Sequence, residues 1–196
     1  MRSARSSRTG STTGTLVATL VVVAVAGSLA RANEALQTKV TRQGRVLQVR
    51  ATLAADTPAS TCFAVLVDFD RLEDFIPGLV SSDVLSAPGE PIVLRQVGDA
   101  KAAFFRVALD VTLAVKVHPP ERIEFERLDG NLRRMQGDWT VAGDEHHCDI
   151  VYRADIEPAF WVPPLIGPRL MRNQVETQLE GLLQELHRRK TAGAAP

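Results

Sequence analysis

The chain has 196 residues, 45% of them hydrophobic, and its 23 basic and 23 acidic side chains cancel. That apolar share is too high for a disordered chain, and the length suits one ordinary domain behind a leader. Arg2, Arg5, Arg8 and Arg31 face no acid before residue 33; without these four, 19 basic residues stand against 23 acidic, a net charge of −4, which excludes nucleic acid as the expected partner.

The N-terminal arginines form a positive start, and Leu16 to Ala30 is an apolar run without a charge. Ala30-Arg31-Ala32 then puts small residues where a signal peptidase reads them. The run is about 15 residues, short of the roughly 20 that span a bilayer comfortably. The expectation is a signal peptide over 1–32, cleaved before Asn33, with an uncleaved signal anchor as the alternative. Either one places the domain outside the cytoplasm, in the periplasm or the extracellular space.

Residues 33–43 read as a polar lead-in, and the domain is expected over 44–190. From Arg45, Val46, Leu47, Val49, Ala51 and Leu53 alternate with polar residues as in a first strand. Asp56 or Thr57 offers an N-cap before Pro58, and Phe63, Leu66 and Val67 recur at helical spacing, so 58–67 is a short helix. Asp68 and Asp70 read as caps of a second short helix, 70–75, which Pro77-Gly78 ends.

Strands follow over Val80–Ser86 and Ile92–Val97. The longest alternation places Phe105, Val107, Leu109, Val111, Leu113, Val115 and Val117 on one dry face. Arg122–Leu128 carries Ile123 and Phe125 on one side, and Asp129-Gly130-Asn131 is a hairpin signal. Leu132–Ala142 returns with Met135, Trp139 and Val141 on one face, and Gly137 among them suggests a bulge or bend. Cys148, Ile150, Tyr152, Ala154 and Ile156 alternate in the last strand. After a proline-rich connection with Phe160 and Trp161, Met171, Val175, Gln178, Leu179, Leu182 and Leu186 form the stripe of a helix over about 168–189. Residues 191–196 read as a flexible tail.

The order is strand, two short helices, six strands, long helix. Six strands joined by short turns form an antiparallel meander, and its apolar face needs a cover. Only the final helix, at about 30 Å, is long enough to provide one. The fold class is therefore α+β, a curved antiparallel sheet of about seven strands gripping a long C-terminal helix.

The stretch Phe63–Leu79, with Asp68-Phe69-Asp70 and Ile76-Pro77-Gly78, resembles the early helix-turn segment of the polyketide cyclase/dehydrase and coenzyme Q-binding branch of the START-like (SRPBCC) superfamily. Gly130, Gly137-Asp138-Trp139, Tyr152 and Pro163-Pro164 resemble it too, so the likeness covers about residues 44–190. It implies the helix-grip fold. It does not imply one chemistry, because members range from lipid carriers to cyclases.

The expected ligand-binding lining is Phe105, Val107, Leu109, Val111, Leu113, Val115, Phe125, Met135, Trp139, Ile150 and Tyr152 from the sheet, with Met171, Val175, Gln178 and Leu182 from the helix. Trp139 and Tyr152 carry polar tips that either orient a ligand oxygen or are satisfied by backbone. Gln174, Gln178 and Arg133 are further candidates for a polar contact, or reach a wet rim. Cys62 and Cys148 are either a disulfide, which an oxidising compartment permits, or two buried thiols. His146-His147 lack metal-ligand spacing, and no nucleophile elbow, phosphate loop or dinucleotide fingerprint is present. No catalytic residue, metal ligand or cofactor is assigned.

The leading expectation is an exported carrier of a hydrophobic small molecule or lipid, with membrane contact during ligand exchange. A cyclase or dehydratase would need an acid or base on a dry face, where few are found. A partner-binding envelope module would have its interior closed by Phe63, Phe104, Phe105 and Trp161, leaving no cavity above about 300 Å³.

Overall fold

The computed structural model describes residues 36–102, 105–164 and 166–193, and of these only the backbone over 100–107. The leader and the end of the tail lie outside the described residues.

Eight antiparallel strands form one sheet: β1 Leu36–Gln43, β2 Val46–Ala55, β3 Leu79–Val84, β4 Ile92–Ala102, β5 Phe105–His118, β6 Arg122–Gly130, β7 Leu132–Gly143 and β8 Cys148–Pro158. Their order is β1-β2-β8-β7-β6-β5-β4-β3. The expected six-strand meander is there, and β8 closes it onto β2. The eighth strand is the supposed lead-in. Leu36, Thr38, Val40 and Arg42 lie opposite Leu53, Ala51, Val49 and Leu47. This hairpin covers an edge of β2 that would otherwise present unpaired amides.

Helix α1 (Ala59–Leu66) and a 3-10 turn (Phe69–Asp74) separate β2 from β3, and α2 runs over Gly167–Gly193. The expected cap at Asp56 or Thr57 is not made. Pro58 stands at the N-cap without a side-chain bond, and Ala59 N–H instead donates to the Asp144 carbonyl in the β7–β8 turn at 2.9 Å. Nor do Asp68 and Asp70 cap the turn. Asp68 accepts from Arg189, and Asp70 accepts from the Val84 N–H at 3.0 Å.

Cys62 and Cys148 are joined in a disulfide. It fastens α1 to the first residue of β8. The core runs from Val49, Ala51 and Leu53 of β2 through Ile150 and Ala154 of β8 to Leu179, Leu182 and Leu186 of α2.

Two local readings change. Gly137 is not a bulge: it pairs in register with Phe125 and Ala154. A β-carbon there would meet the Phe125 ring and the Arg153 carbonyl, so glycine makes room for the ring. The bulge lies at Leu132/Arg134, and Arg133 beside it faces water. The 129–131 hairpin is also wider than its sequence suggests. Pairing of β6 with β7 stops at Glu126/Gln136. Beyond it Gly130 turns to Val111, and Asn131 donates to the Ala108 carbonyl at 2.6 Å.

Candidate functional site

Helix α2 rests closely on β1, β2 and α1. Strands β5 to β7 stand away from it. The result is a cavity of about 280 Å³ between the sheet and α2. This volume falls just under the roughly 300 Å³ at the lower end of small-molecule sites. Volume alone therefore stands at the boundary drawn between a carrier and a closed module, and the walls must be read.

From the sheet, Leu109, Leu113 and Val115 of β5, Phe125 of β6, Met135 and Trp139 of β7 and Tyr152 of β8 all line the cavity, as expected. So do Met171, Val175, Gln178 and Leu182 of α2. Two expected residues do not. Val111 and Ile150 are 0% and 1% exposed and packed into the core. They have the right strand parity, but neighbouring side chains cover them. Phe105 and Val107 lie where side chains are not described.

The largest omission in the sequence reading is a fourth wall. Phe69, Leu72, Ile76 and Leu79, from the 3-10 turn and the start of β3, also line the cavity. Their three- and four-residue spacing was the available signal. The segment is seated on α2 at Gly181, where a β-carbon would meet the Phe75 carbonyl and the Pro77 ring.

Polar groups are few. Gln96, Asn131, Gln174 and Gln178 reach the walls, with the tips of Trp139 and Tyr152. Asn131 spends both ends of its amide on the β5 backbone. The Trp139 and Tyr152 rings lie 4.3 Å apart between centroids, tilted by 32°. The Phe125 ring lies 6.1 Å from that of Tyr152 between centroids, nearly parallel to it at 19°. Such offset aromatic packing suits a flat guest. No Asp, Glu, Lys, Arg or His is among the described lining residues. Tyr152 is the lining group that ionises, and burial raises its pKa further, so it stays a neutral phenol able to donate a hydrogen bond.

The remaining candidates point elsewhere. Nε2 of His147 lies 3.3 Å from Asp149, and Asp144 accepts from the His146 and His147 backbone at 2.7 and 3.0 Å. Among the described residues no three His, Cys, Asp or Glu side chains converge on a metal site.

The family described as polyketide cyclase/dehydrase and lipid transport matches residues 56–183. No curated protein matches the chain significantly. Solved structures do. A START superfamily protein from Mycobacterium smegmatis has a TM-score of 0.62 at 17% identity, over 72% of this chain and 97% of that one. A STAR-related lipid transfer protein from Xanthomonas axonopodis gives 0.62 at 15% identity, over 79% and 94%. The Zhui aromatase/cyclase from Streptomyces sp. R1128 gives 0.60 at 19% identity, over 74% and 95%. At these identities the likeness concerns the fold.

Proposed function

The chain belongs to the polyketide cyclase/dehydrase and lipid-transport family of the START-like superfamily, and from that premise we propose that it is an exported carrier of a hydrophobic small molecule or lipid, held in the cavity between the sheet and α2. The observation that carries this reading is the wall chemistry: aliphatic and aromatic side chains, a few neutral hydrogen-bonding tips, and no described acid or base that titrates near neutral pH. Apolar area removed from water is worth about 25 cal/mol per Å², so such walls hold a guest without any charged contact.

A cyclase or dehydratase needs a positioned group that gives and takes protons. Tyr152, held protonated by burial, is a donor and a poor base. The described lining thus supports the carrier reading over a cyclase or dehydratase, and the fold shared with the aromatase/cyclase does not by itself carry a reaction.

Export rests on the charge and apolar pattern of residues 1–32 and gains support from the disulfide, since structural disulfides persist in oxidising compartments. Contact with a lipid surface during exchange gains support from Phe160, Trp161 and Ile166, which are 43%, 75% and 50% exposed in the connection before α2.

Organic extraction of the purified protein, followed by mass analysis, is expected to release an apolar molecule, and the emptied protein is expected to take up Nile red. An empty extract together with no dye uptake would overturn the carrier reading. Fractionation with N-terminal sequencing tests export; the mature chain is expected outside the cytoplasm and to begin at Asn33.

A further inference from the structure

Arg42 is a half-buried cation with no counter-ion among the described residues. Its Nε donates to the Gly44 carbonyl at 2.8 Å and its Nη1 to the Val162 carbonyl at 2.9 Å. Both acceptors are uncharged, and among the described residues no carboxylate pairs with it. Charges withdrawn from water are ordinarily matched by an opposite charge. Its neighbour Arg45 is already matched, with Nε 3.4 Å from Glu157.

Arg42 also lies in line with the cavity. In register it faces Leu47 on β2, which faces Ile156 on β8, which faces Met135 on β7. Residues directly opposite in an antiparallel sheet share a face, so Arg42 stands on the concave side with Ile156 and Met135, both cavity residues. With strands about 4.8 Å apart, Arg42 is roughly 10 Å from Ile156 along that row. A second cleft of about 190 Å³ lies at this end, walled by Arg42, Arg45, Trp161 and Val162. Pro158 and Phe160 line both spaces.

We infer that the guest is an amphiphile: its compact anionic oxygen group, a carboxylate or a phosphate, sits at Arg42 in this cleft, and its apolar body passes Phe160 into the main cavity. The inference rests on the carrier reading and adds the chemical class of its ligand. It also relieves the small volume of the main cavity, because the head group is housed outside it. A guanidinium receives either anion through paired N–H donors, which an ester or an alcohol cannot match.

The test displaces Nile red from the full mature chain at pH 8 with dodecanoic acid, with its methyl ester, and with inorganic phosphate alone. The acid is expected to bind about 10- to 100-fold more tightly than the ester, the range of a charge-assisted hydrogen bond. That ratio is expected to shrink in high salt and to fall towards one in Arg42→Gln. The ratio in unaltered protein carries the test if the Arg42→Gln chain fails to fold. Equal binding of acid and ester would overturn the anionic head group and leave the carrier reading standing. Displacement by neither would overturn the amphiphile, whereas the carrier reading falls only if Nile red itself is not taken up. Phosphate alone raising the melting temperature as far as the acid does would mark a free-anion site and overturn the amphiphile.

Discussion

The guanidinium of Arg189, near the end of α2, donates a 2.6 Å hydrogen bond to the carboxylate of Asp68, at the junction of α1 and the 3-10 turn. The same guanidinium donates to Glu185 at 2.6 Å and lies 5.9 Å from the centre of the Phe75 ring. One side chain thus ties the segment that forms the fourth cavity wall to the helix that forms the roof. Both partners are about a quarter exposed, so the pair is worth more than a surface contact and less than a fully buried one. Arg189→Gln is expected to cost about 1–2 kcal/mol in urea unfolding and to speed release of bound dye. An unchanged release rate would mean that the wall is held by packing at Gly181 alone.

Glu185 gives the fold a defined acid response. It is 6% exposed, and Arg188 first and Arg189 second, through hydrogen bonds, hold its carboxyl down to about 2 against an ordinary 4.5, outweighing the opposing effect of burial. A lowered folded-state pKa means that the unfolded chain takes up the proton first. The stabilisation is therefore complete above about pH 4.5 and drains away as pH falls towards 2. Glu185→Gln is expected to be clearly less stable than the native chain at pH 7, with the gap closing between pH 4.5 and pH 2. Urea midpoints of the two proteins at pH 6, 4 and 3 measure it, and a gap that does not narrow would rule out this group as the acid trigger.

The Cys62–Cys148 bond spans 86 residues of sequence and joins α1 to β8. Both sulfurs are fully buried. Cross-linking so long a loop removes much freedom from the unfolded chain, and the chain-entropy relation gives about 4–5 kcal/mol. Replacing both cysteines by alanine is expected to lower the unfolding free energy by about 2–5 kcal/mol, read by denaturant titration without reductant. Loss of under about 1 kcal/mol would show that α1 is held by its core side chains alone.

Trp161 is the most exposed large apolar side chain described, at 75%. If exchange takes place at a lipid surface, Trp161→Ala is expected to slow transfer of guest between vesicles several-fold, by more than any change in solution affinity accounts for, since Trp161 also walls the Arg42 cleft. Equal transfer rates would remove the membrane step from the proposal.

The long strands were legible because their burial is one-sided. Over β2 and β8 the alternation in sequence reproduces the alternation in burial almost residue for residue. β1 escaped notice although Leu36, Thr38 and Val40 alternate too. Its inward side chains are half-buried and two of its four are polar, so its hydrophobic signal is weak. Arg42 was missed with it, since a cation in a presumed lead-in gives no sign of sharing a face with Met135. Parity could name the dry face but not its depth. Val111 and Leu113 look alike along β5, yet one is sealed in the core and the other meets the cavity. The caps misled because Asp68 and Asp70 found tertiary partners, which local sequence does not reveal.

Met135 and Gly137 sit two residues apart on the same face of β7 and should respond oppositely to added bulk. Met135 is half-buried and borders the cavity, so an indole there has space to enter. Gly137 lies under Phe125 and against the β8 backbone, where a single methyl group has none. Met135→Trp is expected to change stability by less than about 1.5 kcal/mol while reducing Nile red capacity about tenfold or more. Gly137→Ala, a far smaller change, is expected to cost about 1–3 kcal/mol because a strand or the Phe125 ring must move. The contrast depends on that one face being open over Met135 and full over Gly137. If Met135→Trp proves as costly as Gly137→Ala, the interior behaves as a packed core, and the space between sheet and helix has no room for a guest.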